Sequence, residues 1–131
     1  MTEKERQLLL KDLCARLPYG VIIKSISGDD YGPAIDICYP QGVVAYMGQK
    51  MDAYTEEFLP YLRPLSSMTA EEENFYYSCL DEMDGYKQTF PVIYQDKALS
   101  LLDFLNAHHF DYRGLIEKGM ALEAPEGMYS V

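Results

Sequence analysis

The stretch HHFDYRGLIEKG, residues 108–119, contains the side chains most suited to chemistry in this chain. Its imidazole, carboxylate, phenol and guanidinium groups could ligate a metal ion or bind an anionic small molecule. We take five of its residues as candidate binding residues, namely His108, His109, Asp111, Tyr112 and Arg113. An enzyme, or a small-molecule or metal site, centred on the last four of these is one of two functions that the sequence leaves open.

The spacing within this stretch argues against a metal centre. Adjacent side chains point ~180° apart on a strand and ~100° apart on a helix, so His108 and His109 rarely share one ion. An extended backbone places His109 and Asp111 on one face, which supplies two ligands where a zinc site needs three or four. We therefore predict no metal and no cofactor.

The same residues also fit a structural junction between the main part of the chain and its C-terminal segment. His108 and His109 follow a predicted helix, at the end where positive charge is favourable. Asp111 suits the N-cap of a short final helix whose buried residues would be Leu115 and Ile116. We favour this interpretation and call residues 108–119 the junction segment.

Sequence motifs of common enzyme classes are absent. The chain contains no G-x-G-x-x-G, G-x-x-x-x-G-K-[ST], G-x-S-x-G or H-E-x-x-H sequence. Its three cysteines, Cys14, Cys38 and Cys79, include no C-x-x-C pair, so we expect reduced, buried thiols. The two histidines are adjacent, and a Ser-His-Asp or Cys-His arrangement would depend on one of them. We therefore favour a non-enzymatic protein over an enzyme, leave enzymatic activity open and assign no catalytic residue.

The charge of the chain favours a protein partner over nucleic acid. Acidic residues outnumber basic ones by 21 to 11, which gives a net charge of −10. Such a chain repels a phosphate backbone and attracts a protein with a basic face. Its 12 tyrosines, against five phenylalanines, belong to a residue type that is enriched at interfaces. The first of the two functions is therefore a non-enzymatic, acidic protein-interaction or accessory protein, whose oligomeric state the sequence leaves open.

Helix start signals and helical spacing of apolar residues predict three helices. Capping boxes open the first at Thr2 and the second at Thr69, and these helices should end before Pro18 and Gly85. The third covers residues 96–107, DKALSLLDFLNA. The residues expected to face the core are Leu9, Leu10, Leu13, Cys14 and Leu17 in the first helix, Tyr76, Cys79, Leu80 and Met83 in the second, and Ala98, Leu101, Leu102 and Leu105 in the third.

Between the first two helices the sequence predicts an antiparallel meander. Apolar runs at residues 20–27, 34–39 and 43–47 are separated by short turns, which favour antiparallel neighbours. The overall prediction is one α+β domain over residues 1–131. It contains a three- or four-stranded antiparallel meander, about three helices packed on one face, and the short C-terminal helix.

Two segments that contain proline are harder to assign. Pro60 and Pro64 argue against a central strand, so residues 49–68 are predicted to be an irregular crossing with one helical turn. Residues 88–95, QTFPVIYQ, could form the fourth strand, which Pro91 would confine to a sheet edge.

Three blocks of the sequence carry a resemblance: LLLKDLCARLPYGV at 8–21, PYLRPLSSMT at 60–69, and HHFDYRGLIEKGMALEAPEGMY at 108–129. They resemble a group of small uncharacterised proteins from gut-dwelling bacteria and their prophages or mobile elements. That group has no assigned activity, so the resemblance implies only a cytoplasmic, bacterial or phage setting. The start of the chain does not read as a secretory signal, and no apolar run approaches the ~20 residues of a membrane span, which also predicts a cytoplasmic protein.

Overall fold

The computed structural model describes residues 2–26, 31–38, 43–46, 49–54 and 58–129, and it describes only the backbone of 35–38, 43–46 and 49–54. Three α-helices lie in these ranges: α1 (Glu3–Arg16), α2 (Ala70–Tyr86) and α3 (Pro91–Ala107). Both predicted capping boxes are present, because Thr2 pairs with Glu5 and Thr69 pairs with Glu72. These reciprocal bonds satisfy backbone N–H groups that would otherwise be unpaired at a helix start.

Six strands of the described residues form one mixed sheet in the order β4-β3-β2-β1-β5-β6. They are β1 (Ile22–Ser25), β2 (Tyr31–Cys38), β3 (Val43–Tyr46), β4 (Gln49–Tyr54), β5 (Phe58–Leu62) and β6 (Leu122–Glu123). Strands β1 to β4 form an antiparallel meander, β5 pairs antiparallel with β1, and β6 pairs parallel with β5. The predicted α+β class is confirmed. The prediction of a sheet with three or four strands, all antiparallel, is wrong.

Pro60 lies inside a strand, contrary to the prediction of an irregular crossing at residues 49–68. It pairs with Ile23 of β1. Neighbouring residues of a strand direct their backbone groups to opposite edges. The Leu62 carbonyl accepts from the Ala124 amide on the β6 side, so the nitrogen of Pro60, two residues earlier, faces that side as well. Pairing with β6 begins only at Tyr61, so proline removes no hydrogen bond from the ladder.

Pro91 opens helix α3, and the fourth strand predicted at residues 88–95 is therefore wrong. A proline at the first helical position loses no hydrogen bond, and its fixed φ suits a helix. Helix α2 also runs past its predicted end, because Gly85 lies inside it. The prediction of a short C-terminal helix is wrong too, since residues 112–119 form turns.

Two groups of buried apolar residues form the core of the described structure. The first joins α1 to the sheet and contains Leu9, Leu13, Val21, Ile23, Ala34, Phe58, Leu62, Leu115, Met120 and Ala121. The second joins α2 to α3 and contains Cys79, Leu101, Leu105 and Phe110. Because Phe110 belongs to one group and Leu115 to the other, the junction segment connects the two.

Two residues predicted to face the core are exposed. The buried face of α1 contains Leu9, Asp12, Leu13 and Arg16, and Cys14 lies off that face and in solvent. Leu102 of α3 is also exposed, because the buried face of that helix is set by Leu101 and Leu105. The predicted placement of the helices on one face of the sheet, and of residues 1–131 in a single domain, stay predictions.

Candidate functional site

The junction segment continues the sheet directly beyond helix α3. His108 is the C-cap of that helix, as its position after the apolar repeat predicts. The Arg63 amide, just after β5, donates to the His109 carbonyl at 2.8 Å, and the Asp111 amide donates to the Arg63 carbonyl at 2.8 Å. Phe110 thereby forms an isolated parallel bridge with Arg63. The backbone of the segment is fixed at β5, and this fixes the directions of its side chains.

His109 is a buried, neutral imidazole. Its backbone has φ 59°, a left-handed conformation that few residues other than glycine adopt. The Nε2–H donates to the Tyr19 carbonyl at 3.0 Å, and the ring stacks on Tyr129 with centroids 4.0 Å apart. Burial lowers the pKa of His109 to about 4, so the positive charge expected after the helix is wrong for this residue. Its Nδ1 is buried without a partner among the described residues.

Tyr129 links two strands through its hydroxyl group. The Ile22 amide of β1 donates to this oxygen at 2.8 Å, and the hydroxyl donates to the Tyr61 carbonyl of β5 at 2.7 Å. Burial raises the pKa of Tyr129, so the phenol stays protonated and can donate. Neither the spacing nor the neighbours of Tyr129 in the sequence signalled this role.

Arg113 binds a buried carboxylate on helix α1. Its Nε donates to Asp12 Oδ1 at 3.1 Å, while Arg16 Nε donates to Asp12 Oδ2 at 2.8 Å. Arg16 also donates to the Phe110 carbonyl at 2.6 Å, which ties α1 to the junction segment. Asp12 and Arg16 are fully buried. The sequence carried a signal for this pair. Asp12 and Arg16 are four residues apart, and both lie on the helix face that also contains Leu9 and Leu13.

Tyr112 lies between the two arginines. The guanidinium carbons of Arg16 and Arg113 are 5.1 and 5.0 Å from the centre of its ring, within the range of cation–π attraction. Its hydroxyl donates to Asn106 Oδ1 of α3 at 2.7 Å. Arg113 therefore both pairs with an acid, Asp12, and stacks on a tyrosine, Tyr112.

Asp111 caps the turn that follows it. Its Oδ1 accepts from the Leu115 amide at 2.8 Å and its Oδ2 accepts from the Ile116 amide at 2.9 Å. Both carboxylate oxygens are therefore occupied by backbone groups of the junction segment. The predicted capping function of Asp111 is found, although the structure it caps is a turn. Leu115 is fully buried and Ile116 only partly so.

His108 faces a carboxylate that already has a partner. Its Nδ1 is 3.3 Å from Glu72 Oε2, and both terminal nitrogens of Arg63 donate to the same carboxylate at 2.8 Å. The hydrogen bonds from Arg63 hold the pKa of Glu72 at about 2. Arg63 is further fixed by the ring of Phe110, 4.2 Å from its guanidinium carbon.

The five candidate residues do not converge on one ligand position. His108 points to Glu72, His109 to Tyr19 and Tyr129, and Asp111 to its own turn, while Tyr112 and Arg113 meet around α1. A cavity of about 550 Å³ lies nearby, and its lining among the described residues includes Arg63 and Tyr129 but none of the five. No cluster of three metal-ligating side chains occurs within the described ranges.

The outer face of α3 presents a different surface. The sequence analysis missed it because it predicted that Leu102 faces the core. Val92, Leu99 and Leu102 lie on this face with 79, 63 and 40% of their surface exposed. Asp96 and Asp103, each four residues after one of these apolar side chains, are exposed beside them. We call these five residues the α3 outer face.

Comparison of the chain with profiles of known protein families, with curated proteins and with solved structures finds no match. None of the helices in the described part of the chain combines the length and apolar character of a membrane-spanning segment.

Proposed function

We propose that the protein is a non-enzymatic, acidic interaction protein that binds a partner protein through the α3 outer face. The exposed apolar row of Val92, Leu99 and Leu102 carries this proposal. Large apolar side chains that are grouped on a folded surface gain free energy when a partner removes them from water. The net charge of −10 further favours a partner with a basic face.

The geometry supports this function over the alternative, a ligand or metal site around His109, Asp111, Tyr112 and Arg113. A binding site needs polar groups that are free to meet a ligand. Here both Asp111 oxygens accept backbone amides, Arg113 binds Asp12, and the Tyr112 hydroxyl binds Asn106. The side chains of the junction segment therefore hold the fold together, whereas α3 carries an exposed apolar surface.

The proposed setting is the cytoplasm of a bacterium or of a phage-infected cell. It rests on the three sequence blocks that resemble proteins of gut-dwelling bacteria and their mobile elements. This setting determines which lysate is the appropriate source of a partner.

The proposal is tested by capture from a lysate of gut-dwelling bacteria with three immobilised proteins: the natural chain, Leu99→Ser and Ile26→Ser. Ile26 follows β1 and is also exposed, so its variant removes comparable apolar surface away from α3. We expect the natural chain and Ile26→Ser to retain the same partner and Leu99→Ser to lose it. Circular dichroism should show that all three are equally folded. Identical recovery by all three proteins, or no partner at all, would contradict the proposal.

A further inference from the structure

The α3 outer face follows a seven-residue repeat. Val92 and Leu99 are seven residues apart, Asp96 and Asp103 are seven apart, and Leu102 follows Leu99 by three. In heptad notation Val92 and Leu99 occupy position a, Gln95 and Leu102 occupy d, and the two aspartates occupy e. Three of these four a and d positions are apolar, and such positions beside charged e positions are typical of a helix that packs lengthwise against another helix.

Only one side of this apolar row carries charge. The g positions on the other side are Ala98 and Leu105, which are half-buried and buried against the rest of the protein. Asp96 and Asp103 are exposed, and neither forms an ion pair within the described part of the chain. The face therefore offers an apolar row with an unneutralised acidic margin.

We infer that the α3 outer face binds an amphipathic helix of a partner protein, and this rests on the proposed function. The apolar row of that helix covers Val92, Leu99 and Leu102. Lysine or arginine residues along its margin pair with Asp96 and Asp103. Because these carboxylates are seven residues apart, roughly 10.5 Å along the axis, the matching basic residues lie at positions i and i+7 of the partner helix.

Charge distinguishes this occupant from the others that an apolar face could accept. In an antiparallel pair, e positions face e positions, so a second copy of this chain would bring aspartates together. Each copy also carries a net charge of −10, which opposes self-association in either orientation. Nucleic acid and an anionic membrane surface are repelled for the same reason. A basic helix alone gains from both parts of the surface.

Two labelled peptides test the inference by fluorescence anisotropy with the full chain. Each has about 21 residues, or three heptads, with leucine at a and d. One carries lysine at e and g, and the other carries glutamate there. We expect the lysine peptide to bind at least about tenfold more tightly and to weaken as salt rises from about 50 to about 500 mM. Equal affinity for the two peptides would overturn the charge pairing.

Matched variants locate the effect on α3. Asp96→Asn/Asp103→Asn should weaken binding of the lysine peptide about fivefold, the effect of two exposed ion pairs. Asp81→Asn/Asp84→Asn removes the same charge from exposed positions of α2 and should change affinity less than about twofold. Equal weakening by the two double variants would overturn the assignment to this face.

Two further results separate this inference from the proposed function. If the lysate partner is captured through Leu99 but neither peptide binds, the proposed function stands and the helical occupant is wrong. If the chain alone sediments as a dimer that Leu99→Ser dissociates, the occupant is a second copy and the inference is also wrong.

Discussion

At the scale of single residues, the Tyr129 hydroxyl takes the place of a direct backbone hydrogen bond. The register that pairs Ile23 with Pro60 brings Ile22 opposite Tyr61. The Ile22 amide and the Tyr61 carbonyl meet through the phenol oxygen, at 2.8 and 2.7 Å. One hydroxyl thus satisfies a donor and an acceptor on neighbouring strands, and leaving either of them buried and unpaired is costly.

Tyr129→Phe should therefore destabilise the protein although it removes a single oxygen. We expect the free energy of unfolding to fall by roughly 1–3 kcal/mol, the cost of leaving buried polar groups unsatisfied. Denaturant unfolding measures this loss. Tyr77→Phe, at an exposed tyrosine of α2, is the matched control and should be close to neutral. Equal stabilities of the two variants would show that the hydroxyl does not bridge the strands.

At the scale of elements, the turn at residues 111–119 depends on one carboxylate and one buried leucine. Asp111→Ala leaves the Leu115 and Ile116 amides without their acceptor, and it should cost roughly 0.5–2 kcal/mol of unfolding free energy. Leu115→Ala should cost more, roughly 2–5 kcal/mol, because Leu115 is fully buried. Ile116→Ala is the matched control at a partly buried neighbour. Thermal melts in which Ile116→Ala is the most damaging variant would contradict this ranking.

The elements that the sequence predicted correctly are those with local chemical signals. Thr2 and Thr69 start helices because the glutamate that completes each capping box lies three residues further on. Pro60 and Pro91 misled the prediction because the effect of a proline depends on whether a backbone N–H at its position would have had a hydrogen-bond partner. At Pro60 this depends on the pairing of β5 with β1 and with the distant strand β6, which no local pattern describes.

The candidate site was predictable only in part, for the same reason. The position of His108 at a helix end and the capping by Asp111 follow from neighbours in the sequence. The contacts of Arg113 with Asp12, 101 residues away, and of His109 with Tyr19, 90 residues away, depend on the tertiary fold. The residue types showed what these side chains could bind, and the fold determined their partners.

At the scale of the whole molecule, His109 makes stability depend on pH. Its folded pKa of about 4 is below the ordinary value of 6.5, so the unfolded chain binds the proton more tightly. The imidazole ring is buried and lies near Arg16, Arg63 and His108, so burial and the neighbouring positive charges both disfavour its protonated form. The stability that the neutral ring contributes is complete above pH 6.5 and is lost as pH falls from 6.5 towards 4.

The natural chain should therefore lose about 2 kcal/mol of unfolding free energy between about pH 7.5 and about pH 5 through His109 alone. His109→Asn cannot titrate, and asparagine tolerates a positive φ. This variant should be less stable at neutral pH but should show a smaller loss on acidification. Denaturant unfolding at the two pH values measures the difference. Glu72, whose pKa is about 2 in place of 4.5, contributes a separate loss only below pH 4.5. A loss of the same size in both proteins would exclude His109 as its source.

The long separation between the first two elements, α1 and β1, and their bonding partners has a consequence for synthesis on the ribosome. Asp12 meets Arg113 after 101 residues, and Ile22 meets the Tyr129 hydroxyl after 107. At the usual rate of translation this interval lasts roughly 5–20 s, during which α1 has emerged without Leu115, Met120 and Ala121, which complete the cluster around it. The inner face of α1, with Leu9 and Leu13, is then incompletely covered. A chaperone that binds nascent chains would therefore meet a helix with an apolar face, although the finished protein is acidic.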